Sequence, residues 1–261
     1  MNNMKIEWNN YVDHIFCITY LPSGRLHKFK NVLTDINVNI KDNNFFTFMY
    51  DYDHFLFKSY YDEIVKKSLN FYNNNVYYSG NRLNFENFEY TFYVAYNSYR
   101  ALKIAQYFNY DRIIIFEDDL IFLKDINYII NALNFVNEQN DFDLCLCQTT
   151  FCHCFHGIRK YLQNVADDLG NDFFMKTSEP TGVFGGGFII LTKNGIDKII
   201  KFYEENDILV CLDSLENFKN TKIKLTTLFA LKPLCIQECM LNWTNEQIEY
   251  YNKNMIIDEY I

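Results

Sequence analysis

Short apolar runs alternate along the chain with longer stretches whose apolar residues recur every three or four positions. "HIFCITYL" (His14–Leu21) is rich in β-branched and aromatic residues and predicts a first strand. It breaks at "PSGR", where Pro22 and Gly24 predict a turn. In "LHKFKNVLTDI", Leu26, Phe29, Val32 and Leu33 share one face, so a helix is expected next. "FFTFMYD" (Phe45–Asp51) predicts a second strand. From Asp53 to Glu86 the pattern is irregular. There "SYYDEIVKKSLNFY" suits a helix and "NNNVYYSGNRLN" a loop or short hairpin, either a substrate-facing region or a plain connector.

Order returns with "NFEYTFYVAYNSYRALKIAQYFNYD", where Phe92, Ala95, Tyr96, Tyr99, Leu102 and Ala105 predict a long helix. It runs into "RIIIF", a wholly apolar strand of the kind found in the middle of a parallel sheet. "INYIINALNFVNE" is again helical, with Asp125 placed to cap it. "DLCLCQ" predicts a strand, and "GVFGGGFIILTKNGIDKIIKFYEEN" a Gly-rich loop, a strand and a helix. Thr192 is the expected N-cap of that helix, and Ile196, Ile199, Ile200 and Tyr203 form its apolar stripe. "KIKLTTLFALKPLCIQ" supplies one or two late strands. No repeat or Pro/Ser-rich linker interrupts the chain, so a single domain over 1–261 is expected. Helix–strand alternation around a central apolar strand predicts an α/β fold, with a mixed, mostly parallel sheet flanked by helices. Ligands of such sheets sit at the carboxyl ends of the strands.

Composition agrees with a sizeable core: 261 residues, 49% hydrophobic and 18% aromatic. The formal charge is 24 − 33 = −9, without a basic run, which argues against nucleic acid and anionic membranes as partners. The opening "MNNMKIEWNNYVDH" has no apolar leader and no run is long enough to span a bilayer, so a cytoplasmic location is expected. Eight Cys in this length do not make a disulfide framework. In "DLCLCQTTFCHCFHG", Cys145, Cys147, Cys152, His153, Cys154 and His156 invite a zinc reading. The spacing is wrong for C-x₂-C, and Cys145 and Cys147 alternate with Leu144 and Leu146 as on one face of a strand, so buried thiols are the better account.

Chemistry concentrates at "IIIFEDDLIFLKD" (Ile113–Asp125). Glu117, Asp118 and Asp119 follow an apolar strand directly and lead into another apolar run, Leu120–Leu123. An acidic surface turn is the plain alternative, but both flanks argue for a place beside the sheet. In an extended segment Glu117 and Asp119 project to one side and Asp118 to the other. Two carboxylates there make a hard oxygen site suited to Mg²⁺ or Mn²⁺, completed by a substrate's phosphates. A phosphatase with a D-x-D-x-T nucleophile fits poorly, because Glu117 stands first and Leu-Ile stands where Thr is needed.

"IIIFEDDLIF", preceded by a long helix, resembles the metal-binding segment of glycosyltransferase family 25, the lipooligosaccharide and collagen-type galactosyltransferases of GT-A (Rossmann-like) fold. "HIFCITYLPSGRLHKF", "GGGFIILTKNGIDKII", "ILVCLDSL" and "LKPLCIQ" are similar to further family segments in the same order. Where the family has Ser-His before the metal segment, this chain reads Tyr96-Asn97-Ser98-Tyr99.

The resemblance implies a nucleotide-sugar half at about 12–125 and an acceptor half at about 140–261. It implies that Glu117 and Asp119 hold Mn²⁺ or Mg²⁺ and that Asp118 meets the ribose or the metal's water shell. Thr19, Tyr20 and Arg25 would line the nucleotide pocket, and Arg25 and Arg100 would bind phosphate, unless they are ordinary surface arginines. Gly185, Gly186 and Gly187 would admit the acceptor sugar, or form a plain turn. Asp213 would be the general base, or the N-cap of the next helix, or both. The expected activity is inverting transfer of galactose or glucose from a UDP-sugar to a glycan or hydroxylated acceptor. Two alternatives stand beside it: a degenerate member that only binds or scaffolds, and another metal-dependent phosphoryl or nucleotidyl transferase.

Overall fold

A computed structural model describes residues 5–19, 24–50, 58–75, 85–148, 166–179, 185–215 and 223–238. The strands are β1 (His14–Ile18), β2 (Phe46–Met49), β3 (Arg112–Glu117), β4 (Leu120–Phe122), β5 (Leu144–Leu146), β6 (Asp167–Asp168), β7 (Phe174–Thr177), β8 (Phe188–Thr192), β9 (Thr227–Ala230) and β10 (Cys235–Gln237). The helices are α1 (Leu26–Asp35), α2 (Lys58–Asn75), α3 (Phe85–Phe108), α4 (Ile126–Glu138), α5 (Lys193–Asn206) and the short α6 (Leu212–Leu215).

Eight strands form one sheet in the order β2-β1-β3-β8-β5-β9-β7-β6, and β4 pairs with β10 in a separate ribbon. The α/β class stands, but the sheet is more mixed than expected. β3 is parallel to β1 and antiparallel to β8, and β8 is antiparallel to β5 as well. β7 is antiparallel to both β9 and β6, while β1–β2 and β5–β9 are parallel. "RIIIF" reads like a purely parallel central strand because its faces are covered on both sides, and face burial does not report the direction of neighbours. β7 and β6 carry no periodicity long enough to read from the sequence.

The remaining elements follow their residues. Asp125 Oδ1 accepts from the Tyr128 amide and Thr192 Oγ1 from the Gly195 amide, so both expected N-caps form. Ile129, Ala132, Leu133 and Val136 of α4 are buried, as are Ile196, Ile199, Ile200 and Tyr203 of α5. α3 and α5 pack together, with the Tyr99 and Tyr203 rings edge to face at 6.0 Å. Cys145 and Cys147 are buried with their sulfurs 3.7 Å apart, on one face of β5 as the alternation requires. Burial pushes the Cys147 thiol well up, which keeps it protonated. Cys152, His153, Cys154 and His156 lie outside the described residues.

An aromatic cluster sits next to the carboxylate segment. Phe116 meets Phe188 at 4.8 Å, Phe122 at 5.5 Å and Trp8 at 5.8 Å. Trp8 Nε1 donates to the Ile36 carbonyl at 2.7 Å, so its polar end is satisfied. Such ring pairs contribute roughly 0.5–1.5 kcal/mol each beyond area burial, and they fix the backbone from which Glu117 projects. Among the described residues, no helix is long and apolar enough to cross a membrane.

Candidate functional site

Strand register builds the site. β1 and β3 run parallel with Ile18 beside Glu117. One step further, Thr19 and Asp118 therefore meet, and Thr19 Oγ1 donates to Asp118 Oδ2 at 2.6 Å. β3 and β8 run antiparallel with Phe116 beside Phe188. One step further, the Glu117 amide donates to the Gly187 carbonyl at 2.9 Å. β5 lies on the other side of β8, and one step past its end Gln148 Oε1 accepts from the Gly187 amide at 2.9 Å. The carboxyl ends of β1, β3 and β5 and the amino end of β8 thus share one edge of the sheet.

The acids do not alternate as an extended segment would. The chain turns at Asp118 and Asp119 before re-entering β4. That turn brings the two aspartates together instead of setting them on opposite sides. Arg25 Nη2 lies 3.0 Å from Asp118 Oδ1, and Nη1 lies 3.1 Å from Asp119 Oδ2. Both aspartates are nearly sealed from solvent, with side chains 3% and 8% exposed. Gln237 Nε2 donates to Glu117 Oε2 at 3.2 Å. The Asp119 carbonyl accepts from the Glu238 amide at 2.6 Å, and Glu238 pairs with Lys28 of α1.

Among the described residues, the one guanidinium of Arg25 faces both carboxylates. Burial raises the Asp119 carboxyl above the usual carboxylate range; Arg25 opposes this and Asp118 adds to it. Among the described residues, neither Asp119 Oδ1 nor Gln148 Nε2, both buried, has a hydrogen-bond partner. The donor set suits a hard divalent cation: it is all oxygen, and one of its desolvated oxygens is unused. Among the described residues no three His, Cys, Asp or Glu side chains gather into a metal cage. A cation here would take one or two carboxylates and complete its shell from a ligand.

The other expected residues separate into three groups. Thr19, Arg25, Glu117, Asp118, Asp119 and Gly187 converge as described. Arg25, expected on phosphate, instead has its guanidinium on the aspartates. Arg100 of α3 is half-buried and donates to the Tyr50 carbonyl and to Asn97 Oδ1, both at 3.1 Å, so its head is held at the carboxyl end of β2. Tyr93, two turns earlier, donates its hydroxyl to the Thr19 carbonyl at 2.8 Å and ties α3 to the site. Gly185 and Gly186 lead into β8 beside Gly187. Tyr20 lies outside the described residues. Asp213 falls inside α6, after Leu212, so it is not the N-cap; the Ser214 amide bonds the Cys211 carbonyl, which puts Cys211 at that position.

Gly187 is required by its neighbours. A Cβ there would lie 2.3 Å from Gln148 Oε1 and 2.5 Å from Leu120 Cδ2. Sequence reasoning missed Gln148 and Gln237. Gln148 had a signal, since it is the polar residue following a buried strand, as Glu117 is. Gln237 had none, because its role depends on β10 pairing with β4.

No protein-family model matches the chain, and no curated protein matches it. Among solved structures, the chain is similar to "Crystal Structure of A197 from STIV", at 12% identity over 85% of this chain and 82% of that one, with a TM-score of 0.34. A superposition that loose assigns neither a fold family nor an activity.

Proposed function

We propose that this chain is a metal-dependent, inverting glycosyltransferase of GT-A fold that moves galactose or glucose from a UDP-sugar to a hydroxyl of a glycan or other acceptor. The observation that carries the reading is the buried aspartate pair at the carboxyl edge of the sheet, with Asp119 Oδ1 unspent. The resemblance of "IIIFEDDLIF" and its flanking segments to family 25 adds the nucleotide sugar. Asp119 and Glu117 would hold Mn²⁺ or Mg²⁺. That ion, when bound, offsets the charge of the carboxylates and of the departing diphosphate. Asp118, fixed by Thr19 and Arg25, serves the ribose or the outer shell. Tyr20 and Arg100 extend the nucleotide pocket, with Arg100 toward phosphate. Asp213 takes the proton of the acceptor hydroxyl as its oxygen attacks the anomeric carbon, and Gly185 and Gly186 leave room for that acceptor, whereas the space beside Gly187 is taken by Gln148 and Leu120.

The double pairing of Arg25 favours one second reading, a charge cluster that is purely structural in a non-catalytic binding module. Thermal shifts with UDP, GDP and CMP, each with and without Mn²⁺, separate the two. The enzyme reading expects stabilisation by UDP that needs the metal; no shift with any nucleotide sinks it. UDP-sugar hydrolysis should vanish in Asp119→Ala, and survival of turnover would remove Asp119 from the metal.

A further inference from the structure

Arg25 holds the Asp118–Asp119 turn with a divided grip. Nη2 takes Asp118 Oδ1 at 3.0 Å and Nη1 takes Asp119 Oδ2 at 3.1 Å, one contact to each carboxylate. A guanidinium set bidentately on a single carboxylate is the tighter arrangement. The backbone beside it is uncrowded. Arg25 stands just before the first residue of α1. Gly24, ahead of it, has φ +69° and nothing within 4 Å of the place a Cβ would take.

Exposure separates Arg25 from its partners. Its side chain is 27% exposed, against 3% for Asp118 and 8% for Asp119. Thr19, which also donates to Asp118, is fully buried. Of these side chains, Arg25 is therefore the one that solvent, and a ligand arriving from solvent, reaches first.

Arg25 also holds the negative charge that a divalent cation needs. Nη1 occupies Asp119 Oδ2, so a cation on Oδ1, which no described residue engages, shares its carboxylate with the guanidinium. Two positive charges on one carboxylate repel at short range, and water screens buried charges little. The Arg25 pairing and cation binding thus oppose each other. A diphosphate shifts that balance. It offers a guanidinium the same two-oxygen pattern as a carboxylate, and it supplies oxygens that complete a cation's shell.

We infer that Arg25 is an internal counter-ion, which holds the aspartates in place of the divalent cation and passes to the donor's diphosphate when cation and donor bind, so that the two bind cooperatively. The inference rests on the metal-dependent nucleotide-sugar reading and adds to it how the site is regulated. It accounts for the double pairing of Arg25 without making the cluster purely structural.

The test is a titration of Mn²⁺, with free ion counted by electron paramagnetic resonance, on wild type, Arg25→Gln and Arg25→Lys, with and without UDP. Gln removes the charge. Lys keeps it as a point charge that does not span both carboxylates, and it carries the comparison if Arg25→Gln does not fold. Without UDP, Mn²⁺ should bind about tenfold tighter to Arg25→Gln than to wild type, with Arg25→Lys between them, an ordinary step for coupled sites. UDP should then tighten Mn²⁺ on wild type by a larger factor than on either variant. Mn²⁺ affinity without UDP that is equal to wild type or weaker in both variants overturns the counter-ion role. An equal UDP factor in every protein overturns the passage of Arg25 to the diphosphate. In both cases, Mn²⁺ held by wild type with UDP leaves the metal-dependent reading standing. Wild type that holds no Mn²⁺ even with UDP overturns that reading and this inference with it.

Discussion

Asp118 and Asp119 are adjacent in sequence and share a guanidinium, yet they are not equivalent. Among the described residues, Asp118 receives Thr19 and Arg25, whereas Asp119 has Arg25 on Oδ2 and no partner on Oδ1. A carboxyl raised in the folded state adds stability below its unfolded pKa and loses that contribution as pH rises through the folded value. At neutral pH, ionised Asp119 is thus a net cost. Asp119→Asn should melt no lower than wild type, while Asp118→Asn should lose about 1–3 kcal/mol in denaturant titration. A reversed order would contradict this account. His14 carries the opposite sign. Burial between Tyr110, Phe16 and Thr47 lowers its pKa despite the Asn44 carbonyl and Asp42. Its contribution is present above the unfolded value of 6.5 and is lost as pH falls through the lower folded value. Melting temperature should fall on acidification below neutrality, and His14→Gln should flatten that dependence.

Elements were the most legible level where their pattern is long. The apolar stripe of α5, the caps at Asp125 and Thr192 and the one-sided cysteines of β5 all follow from side-chain period and hydrogen-bonding type. Short elements escaped, because the two residues of β6 and four of β7 hold less than one useful period. The acidic turn escaped for a different reason. "EDDL" extends in a period-2 reading, whereas the chain turns at Asp118–Asp119 and β4 leaves the main sheet to pair with β10. Packing between elements predicts a contrast between two glycines. A Cβ on Gly187 meets side-chain ends, whereas one on Gly195 of α5 would lie 2.1 Å from the Asp143 carbonyl oxygen. Side chains can give and backbone cannot. Gly187→Ala should cost about 1–3 kcal/mol, and Gly195→Ala should match or exceed the top of that range in chemical denaturation.

On the scale of the whole molecule, the sequence carried the α/β class and the position of Glu117–Asp119 at the carboxyl end of β3. It did not carry the insertion of β8, running backwards, between β3 and β5. That reversed strand brings its amino end, and hence Gly187, to the same edge as the carboxyl ends of its neighbours. It is why Gln148, 31 residues beyond Glu117 by their numbering, reaches the same glycine.

The partners at this edge come from remote parts of the chain: 94 residues separate Arg25 from Asp119, 120 separate Gln237 from Glu117, and 210 separate Lys28 from Glu238. Contacts of such long span close slowly, because the loop entropy is lost before the contact forms. During folding the aspartates stand without the charge of Arg25 until β1 and β3 have paired, and Glu117 stands without Gln237 until the segment after β9 has joined them. A population with full helical signal can therefore still lack this cluster, and it is the arrival of Gln237 on Glu117, not the Arg25–aspartate pairing, that reports the last long-range contact of this edge.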